Sequence, residues 1–411
     1  MPKKISVEHL RTGMFLHGLC GAWTQHPFWR TKFVIKDQDQ IRQIIDSGIT
    51  EVLIDADKGL DVQAPPAAPP PAPGVPQAAP RTPAAAPPQA GTPTGRDGPT
   101  SMSEELKRAT KICAHASRAV SAMFREARMG NAISSEVAGA LVDEISSSVM
   151  RNPGALISMA RLKTVDDYTY MHSVAVCALM VALSRQLGLT DKETRDAGMA
   201  GLMHDLGKAM MPPAVLNKPG KLTDEEFRII KTHPERGHQI LVEGGGANDV
   251  VLDVCLHHHE KVDGSGYPHG LTDEKISVYA KMGAVCDVYD AITSNRPYKA
   301  GWDPAESLRK MTEWSKGHFD LRVFQGFVKS VGIYPTGSLV RLSSGRLAVV
   351  VEQSRESLLK PIVRAFYSTK SKVYLTPELI DLSRGSVAEK IAGVEDPVAW
   401  GLKDLEKFWM S

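Results

Sequence analysis

A proline-rich segment divides this chain and limits what each part of it can fold into. Residues 64–100 hold 13 of the 27 prolines, mixed with alanine and glycine and with very few large apolar side chains. Proline fixes its own φ angle and lacks the N–H that a helix or sheet needs, so such a segment stays extended and semi-rigid. We therefore predict a linker over 63–100 that separates a small module from a larger region.

The rest of the composition excludes several classes of protein. The 411 residues are 42% hydrophobic and carry a formal net charge of +2, without a dense basic block, so a nucleic-acid polymer is not expected as a partner. The longest apolar run, 173–183, is too short to span a bilayer, and the N-terminus lacks the apolar segment of a signal peptide. Five scattered cysteines do not suggest a disulfide framework. We expect a cytoplasmic protein with no membrane span.

The segment before the linker has the pattern of a small folded module. Its short runs "KKISV", "MFLHG", "TKFVI" and "EVLID" are typical of strands, and "DQDQIRQIIDSG" has apolar residues at helical spacing. We predict a small α/β or β-rich module over 1–62, in which the aromatic residues of 23–30 pack together. The pattern assigns it no chemistry and leaves a protein partner open.

The region after the linker is predicted to be mainly α-helical. Three Ser/Thr–Glu pairs have capping-box spacing and precede apolar residues at three- and four-residue intervals. The pairs are Ser101 with Glu104, Thr190 with Glu193, and Thr223 with Glu226. A multi-helix bundle is expected over 101–331. From about residue 337 the pattern alternates, with "SSG" as a hairpin turn, which predicts a small β appendage within 332–411.

Candidate metal ligands occur at intervals along the helical region. Successive points lie 25 to 32 residues apart, about the length of one helix and its loop, so neighbouring helices can bring the side chains to one focus inside a bundle. The candidates are His172, His204, Asp205, His233, His258, His259 and Asp287.

The ligand types favour a catalytic site rather than a structural zinc site. Imidazoles and carboxylates without thiolates suit Fe or Mn, and a carboxylate such as Asp205 can bridge two ions. Two divalent ions about 3.5–4 Å apart can share a hydroxide and clamp the attacking and leaving oxygens of a phosphoryl group. Lys208, Arg296 and Lys299 lie near the proposed ligands in the sequence and can bind phosphate oxygens. The set predicts metal-dependent phosphoester chemistry.

Ordinary explanations apply to some of these residues. A single histidine is more often a surface or core residue than a ligand, and we assign no role to His115, His238, His257 or His318. On a helix, His258 and His259 point about 100° apart and can address two ions, whereas a third neighbour points away. The stretch "DGSGYP" could be only a turn, but its position directly after the ligands favours a loop that shapes a pocket.

Four motifs resemble the HD-GYP family, a branch of the HD-domain metal-dependent phosphohydrolases. They are "HDLGK", "THPERG", "HHEKVDGSGYP" and "DVYDAITSNRPYK", and the resemblance covers about 150–331. The first 60 residues also resemble the small domain of unknown function that often precedes such domains. The resemblance implies an HD-type helical bundle that hydrolyses cyclic di-GMP at two or three Fe or Mn ions. The seven candidates take the ligand positions, Lys208, Arg296 and Lys299 contact phosphate, and Tyr267 lines the substrate pocket.

Two positions qualify the resemblance. Family members with three metals carry a glutamate one helical turn before the first histidine, but Tyr168 stands there in this chain, which favours two ions. Asp290, one turn after Asp287, either orients a ligand or caps a polar face.

The expected reaction is attack of a hydroxide bridging the ions on phosphorus, with Asp205 and Lys208 in catalytic roles. The product would be linear pGpG, with further cleavage to GMP left open. Two rivals remain: a receptor that binds cyclic dinucleotides or a partner protein without hydrolysis, and a phosphohydrolase for another nucleotide. A homodimer is left open.

Overall fold

The computed structural model describes residues 3–20, 33–35, 38, 41–42, 45, 51–60, 100–162, 168–295, 301–354 and 357–410. The chain divides into two compact units, 1–90 and 91–411. Residues 63–99 of the predicted linker and the aromatic cluster at 23–30 lie outside the described residues, as do Arg296 and Lys299.

The N-terminal unit contains an antiparallel sheet of four strands. The strands are β1 (Lys3–Ser6), β2 (Phe15–Cys20), β3 (Phe33–Val34) and β4 (Glu51–Ile54), in the order β1-β4-β2-β3. Alternating apolar residues on β1 and β4 face one side of the sheet, where Ile5, Val52 and Ile54 are buried. Described residues of the predicted helix, including the buried Ile41, are helical. The module is therefore β-rich with a helical element, as predicted.

The second unit is a helical bundle. Its helices are α1 (Met102–Arg128), α2 (Ser135–Arg151), α3 (Pro153–Arg161), α4 (Tyr168–Gln186), α5 (Asp191–Met203), α6 (Pro213–Leu216), α7 (Asp224–Ile230), α8 (His233–Gly244), α9 (Asp249–His257), α10 (Val278–Thr293), α11 (Pro304–His318) and α12 (Leu321–Val331). A 3₁₀ helix, Leu206–Met210, follows α5. The mainly α fold predicted from the sequence is confirmed.

Predicted caps begin several of these helices. Thr190 and Thr223 form complete capping boxes with Glu193 and Glu226 at the starts of α5 and α7. Ser101 caps α1 through its side chain, which accepts a hydrogen bond from the backbone N–H of Glu104. Each cap satisfies N–H groups that the first turn of a helix leaves without an intrahelical partner.

Helix α4 is the central helix of the bundle. Every residue from Met171 to Ser184 is buried, so this stretch of the helix has no face exposed to solvent. A helix buried on all sides belongs in the core of a large bundle. None of the described helices is both long enough and apolar enough to cross a membrane.

The C-terminal sheet shares its core with the helices. It contains β5 (Leu339–Leu342), β6 (Arg346–Glu352), β7 (Ile362–Ser368), β8 (Val373–Asp381) and β9 (Ile391–Val394), in the antiparallel order β8-β7-β6-β5-β9. The predicted "SSG" turn joins β5 to β6. Along β6, Leu347 and Val349 pack in the core of the helical bundle, whereas Ala348 and Val350 face a second apolar cluster. A short helix, α13 (Glu406–Trp409), adds the buried Trp409 to the bundle core.

Candidate metal centre

The structure brings the seven predicted ligands to one focus. His172 lies in the first turns of α4, His204 ends α5, and Asp205 precedes the 3₁₀ helix. His233 begins α8 and Asp287 lies in the middle of α10. His258 and His259 follow α9. Helix ends supply most of these side chains, so residues far apart in the sequence meet where several helices converge. We call these seven residues the candidate metal centre.

Asp205 lies between two sets of imidazoles. Its Oδ2 atom is 3.3 Å from Nε2 of His172 and 3.3 Å from Nε2 of His204. Its Oδ1 atom is 3.2 Å from Nε2 of His233 and 3.8 Å from Nε2 of His258. Each carboxylate oxygen therefore faces a different set of nitrogen donors, which is the arrangement that a carboxylate bridging two ions requires.

Asp287 is the second carboxylate of the centre. Its Oδ1 atom is 3.0 Å from Nε2 of His172, and its Oδ2 atom is 3.8 Å from Nδ1 of His259. Among the described residues, the donor atoms form three groups, and within each group they lie within 4.8 Å of one another. Two groups share no residue: His172, His204 and Asp287 form one, and His233, His258 and His259 form the other. The third group, His204, Asp205 and His258, links them.

Backbone carbonyls fix three of the imidazoles. The Nδ1 atoms of His204 and His233 lie 2.8 Å from the carbonyl oxygens of Gly201 and Ile230, and Nδ1 of His258 lies 3.0 Å from that of Val254. A carbonyl can only accept, so each Nδ1 carries the proton and each Nε2 presents a lone pair to the centre. These contacts are local, three or four residues apart, because each histidine stands at a helix end or start.

Asp290 orients His172. Its Oδ2 atom lies 2.6 Å from Nδ1 of His172, and both side chains are buried. Of the two roles considered for Asp290, the structure favours orientation of a candidate ligand over capping of a polar face. A carboxylate behind the imidazole raises its basicity and holds the ring in place.

The donor set fits divalent metal ions. Nε2 of His204 and Oδ1 of Asp205 are both buried, and neither has a hydrogen-bond partner among the described residues. A buried polar atom without a partner costs about 1–3 kcal/mol, so such atoms call for an explanation. A cation bound by His204 would satisfy the first atom, and a second cation on the side of His233 and His258 would satisfy the other. The N and O donors, without sulfur in either group, match the ions predicted from the sequence.

The electrostatics of the centre also favour cations. Burial alone would lower the pKa of His172, but hydrogen bonds to Asp205, Asp287 and Asp290 outweigh it and raise that pKa to about 10. The carboxylates around His172 thus attract positive charge. On the other side, burial and neighbouring histidines hold the pKa of His258 well below its usual value, and burial lowers the pKa of His259 to about 3. Both rings are therefore neutral at pH 7 and free to donate lone pairs.

Lys208 lies beside the bridging carboxylate. Its Nζ atom is 2.5 Å from Oδ2 of Asp205, and its side chain is partly exposed. Burial opposes ionisation of Asp205, but Lys208 and His204 overcome it and hold the pKa of Asp205 well below its usual value. Lys208 therefore keeps Asp205 ionised and places a positive charge next to the centre.

The loop of residues 261–270, which we call the GYP loop, covers one side of the centre. The ring of Tyr267 stacks on that of His259, with centroids 4.7 Å apart and planes at 25°. Gly266 permits this close approach, because a Cβ atom there would lie 2.4 Å from the backbone nitrogen of Lys261. Burial raises the pKa of Tyr267, so its phenol is neutral. The loop therefore packs against His259 of the centre, and its role in shaping a substrate pocket stays a prediction.

One local prediction was wrong. We expected His258 and His259 within a helix, but α9 ends at His257, and they form its C-cap and the following turn. The chain leaves the helix there because it must turn into the GYP loop. His257 points away from the centre as predicted, and its Nδ1 atom lies 2.8 Å from Oδ1 of Asp253. His115, which pairs with Glu144, also lies apart from both groups of donors.

Two residues near the centre had no role in the sequence interpretation. Glu260 is buried, and its carboxylate accepts hydrogen bonds from the backbone N–H groups of His269 and Leu271, which closes the GYP loop. Nζ of Lys231 lies 5.9 Å from the ring centroid of Tyr267 and 5.2 Å from that of Phe227. In the sequence, Glu260 directly follows His259, and Lys231 comes two residues before His233. Only this closeness to candidate ligands could have pointed to them.

Two family models match parts of this chain. Residues 147–323 match the HD domain family, and residues 2–138 match a domain of unknown function, DUF3391. The second match extends from the N-terminal module through the linker into the first helices of the bundle.

Several curated proteins are similar to this chain. A cyclic di-GMP phosphodiesterase of Pseudomonas aeruginosa is 52% identical over 410 residues, covering 100% of this chain and 96% of that protein. The cyclic di-GMP phosphodiesterase response regulator RpfG of Xanthomonas campestris is 46% identical over 150 residues, 36% of this chain and 39% of that one. A 3'3'-cGAMP-specific phosphodiesterase of Vibrio cholerae is 35% identical over 178 residues, 42% of this chain and 41% of that one.

Among solved structures, an HD-GYP-type protein of Bdellovibrio bacteriovorus aligns with 80% of this chain and 99% of its own, at 18% identity and a TM-score of 0.47. The full-length similarity to the Pseudomonas protein, together with the HD domain match over the part of the chain that contains the GYP loop, is decisive. The chain belongs to the HD-GYP family of HD-domain phosphohydrolases.

Proposed function

We propose that this chain is a metal-dependent phosphodiesterase that hydrolyses cyclic di-GMP to linear pGpG. The observation that carries the proposal is the position of Asp205, whose two oxygens face two separate sets of imidazoles. The Pseudomonas relative, similar over the full chain, is named a cyclic di-GMP phosphodiesterase. A second cleavage of pGpG would give GMP.

Two ions, Fe or Mn, are the proposed cofactors. His172, His204 and Asp287 would hold one, His233, His258 and His259 the other, and Asp205 would lie between them. Such ions supply Lewis acidity and lower the pKa of bound water. The ring of Tyr168 stacks on that of His172, with centroids 6.1 Å apart and planes at 4°. An aromatic ring here, in place of a bridging carboxylate, supports two ions rather than three.

The protein's own side chains would bind and orient the substrate. Lys208, beside Asp205, is placed to contact a phosphate held at the centre. Tyr267 presents a neutral ring that can contact the guanine or the ribose. Arg296 and Lys299 are proposed as further phosphate contacts on the basis of their motif alone. Phosphoryl transfer depends mainly on such positioning and on charge stabilisation.

The test combines metal counting with turnover. The full chain, purified without oxygen, is expected to hold close to two Fe or Mn ions and to convert cyclic di-GMP to pGpG. Asp205→Ala should lose turnover and most of the metal, whereas Asp249→Ala, at an exposed aspartate on α9, should keep both. Undiminished hydrolysis by Asp205→Ala would contradict the bridging role. Binding of cyclic di-GMP by the metal-loaded wild type without product would instead support a receptor.

A second substrate is favoured by one group of relatives. The Vibrio cholerae protein that is 35% identical is specific, by its name, for 3'3'-cGAMP, which differs from cyclic di-GMP in one base. The turnover assay should therefore include 3'3'-cGAMP at matched concentrations. A higher kcat/KM for cyclic di-GMP supports the proposal. A higher kcat/KM for 3'3'-cGAMP would instead make that nucleotide the preferred substrate.

We also place this activity in the cytoplasm. The four cysteines whose side chains the structure describes are free thiols, and three of them are buried, which suits a reducing compartment. A partner protein for the N-terminal module and a homodimer stay predictions of the sequence.

A further inference from the structure

A second pair of imidazoles lies outside the candidate metal centre. His257, the last residue of α9, and His269, in the GYP loop, face each other with Nε2 of His257 3.1 Å from Nδ1 of His269. This separation is close to the 3.3 Å between Nε2 of His233 and Nε2 of His258 in the centre itself. His269 is exposed and His257 partly buried, so the pair is open to solvent from one side.

A carboxylate holds one ring of this pair from behind. Nδ1 of His257 lies 2.8 Å from Oδ1 of Asp253. The other oxygen of Asp253 accepts a hydrogen bond from the hydroxyl of Ser277, so the carboxylate is itself fixed. With its proton on Nδ1, His257 presents the lone pair of Nε2 to His269. Carboxylate, histidine and metal in this order are a common arrangement at protein metal sites.

We propose that His257 and His269 bind one divalent transition-metal ion, of which Zn²⁺ is the representative. Two imidazole nitrogens about 2.0–2.1 Å from a tetrahedral zinc ion lie roughly 3.3 Å apart, close to the separation seen here. Water fills the remaining positions on the exposed side. Imidazole ligands select Zn²⁺, Cu²⁺ or Ni²⁺ over Mg²⁺ and Ca²⁺, which prefer oxygen. Binding needs only that the His269 proton move to its solvent-facing Nε2, so no net proton is released.

The ion would connect the GYP loop to α9. Glu260 already anchors the loop at the backbone N–H of His269. A metal bond to the His269 side chain adds a second anchor two residues after Tyr267, whose ring stacks on His259. Zn²⁺ at this pair therefore restrains the loop beside the candidate metal centre without being one of its ions.

Equilibrium dialysis of the full chain against Zn²⁺ tests the site. Zinc that enters the candidate metal centre is common to all variants, so the difference between variants isolates the new site. Wild-type protein should bind one more Zn²⁺ ion per chain than His269→Ala. The matched control is His115→Ala, which should keep the wild-type count. His115 is also paired with a carboxylate, because its Nδ1 atom lies 2.9 Å from Oε2 of Glu144. Equal zinc counts for wild type and His269→Ala would overturn the proposal.

Two further measurements keep the test independent of folding. Asp253→Asn should weaken the additional zinc about tenfold or more, the usual effect of losing a carboxylate behind a ligand histidine. Zn²⁺ should slow amide hydrogen exchange of residues 264–271 in wild type but not in His269→Asn, which keeps a polar side chain at this exposed position. Exchange that Zn²⁺ slows equally in both proteins would show that the pair does not hold the loop.

Discussion

Gly207 and Gly237 touch where the 3₁₀ helix meets α8. A Cβ atom on Gly207 would lie 2.5 Å from the backbone nitrogen of Gly237 and 1.9 Å from the carbonyl oxygen of His233. Only glycine allows two backbones this close. The contact holds the segment that carries Asp205 against the start of α8, and it explains why both "HDLGK" and "THPERG" contain a glycine.

Replacing Gly207 should therefore disrupt the centre as well as the packing. Gly207→Ala forces the 3₁₀ helix away from α8, which we expect to cost about 3 kcal/mol in free energy of unfolding and most of the bound metal. Thermal unfolding and metal analysis check both. The control is Gly244→Ala at the end of α8, where a Cβ would be no closer than 3.6 Å to another atom. Equal stability of the two variants would contradict the close approach.

Asp290 gives a test of positioning rather than ligation. Asp290→Ala leaves His172 without the acceptor for its Nδ1–H, so the ring loses its orientation. We expect metal affinity to fall about 10- to 100-fold. Asp290→Asn retains an oxygen that can accept the hydrogen bond and should recover part of that loss. Competition with a metal chelator measures the affinities, and an Asp290→Ala protein that holds metal as tightly as wild type would argue against this role.

Lys231 is expected to contribute to substrate binding. Its ammonium group lies over the ring of Tyr267, at the edge of the candidate metal centre. Losing one charged contact to a phosphate should raise KM about tenfold with little change in kcat. Lys231→Ala is compared with Lys192→Ala, at an exposed lysine on α5. A change in kcat alone would place Lys231 in the chemical step instead.

Glu105 predicts a pH dependence of stability. This buried side chain accepts two hydrogen bonds of 2.8 Å from Arg151 and one of 2.7 Å from Ser148. Burial raises its pKa, but the hydrogen bonds outweigh burial, so the pKa in the folded protein lies below the ordinary value of 4.5. Its contribution to stability is therefore present above about pH 4.5 and is lost as the pH falls through the lowered pKa.

The corresponding variant is Glu105→Gln. At pH 7 it should lower the free energy of unfolding by about 3 kcal/mol, because the buried site then loses a charged acceptor for the hydrogen bonds from Arg151. Urea unfolding from pH 3 to pH 8 should show this difference shrinking below about pH 4.5. Glu104→Gln, at the exposed neighbouring glutamate, should change little at any pH. A difference that does not vary with pH would contradict the assignment.

Trp409 tests whether the C-terminal segment is part of the bundle. Its side chain is 2% exposed and belongs to the core of the helical bundle. Trp409→Ala should lower the free energy of unfolding by about 3–5 kcal/mol through lost burial and a residual cavity. Met410→Ala, at the 40% exposed neighbour, should have a small effect on thermal unfolding. A mild effect at Trp409 would mean that the segment is dispensable for the bundle.

The sequence by itself determined the types of element and the chemistry of the candidate ligands. Helix caps such as Thr190 and the "SSG" turn between β5 and β6 depend on residues close in the chain, so local patterns predict them. The imidazole and carboxylate candidates likewise followed from residue type and from intervals of about one helix. Those signals were enough to predict a bundle of helices around one focus.

Only the tertiary structure decided which atoms face each other. The angles at which helices cross place the two oxygens of Asp205 against different imidazoles, put Asp290 behind His172 and turn His257 toward His269. The same packing inserts one face of β6 and Trp409 into the bundle core, which the apolar run along β6 does not by itself specify. These contacts join residues from 12 to more than 100 positions apart, and their geometry depends on the packing of the whole core rather than on any local segment.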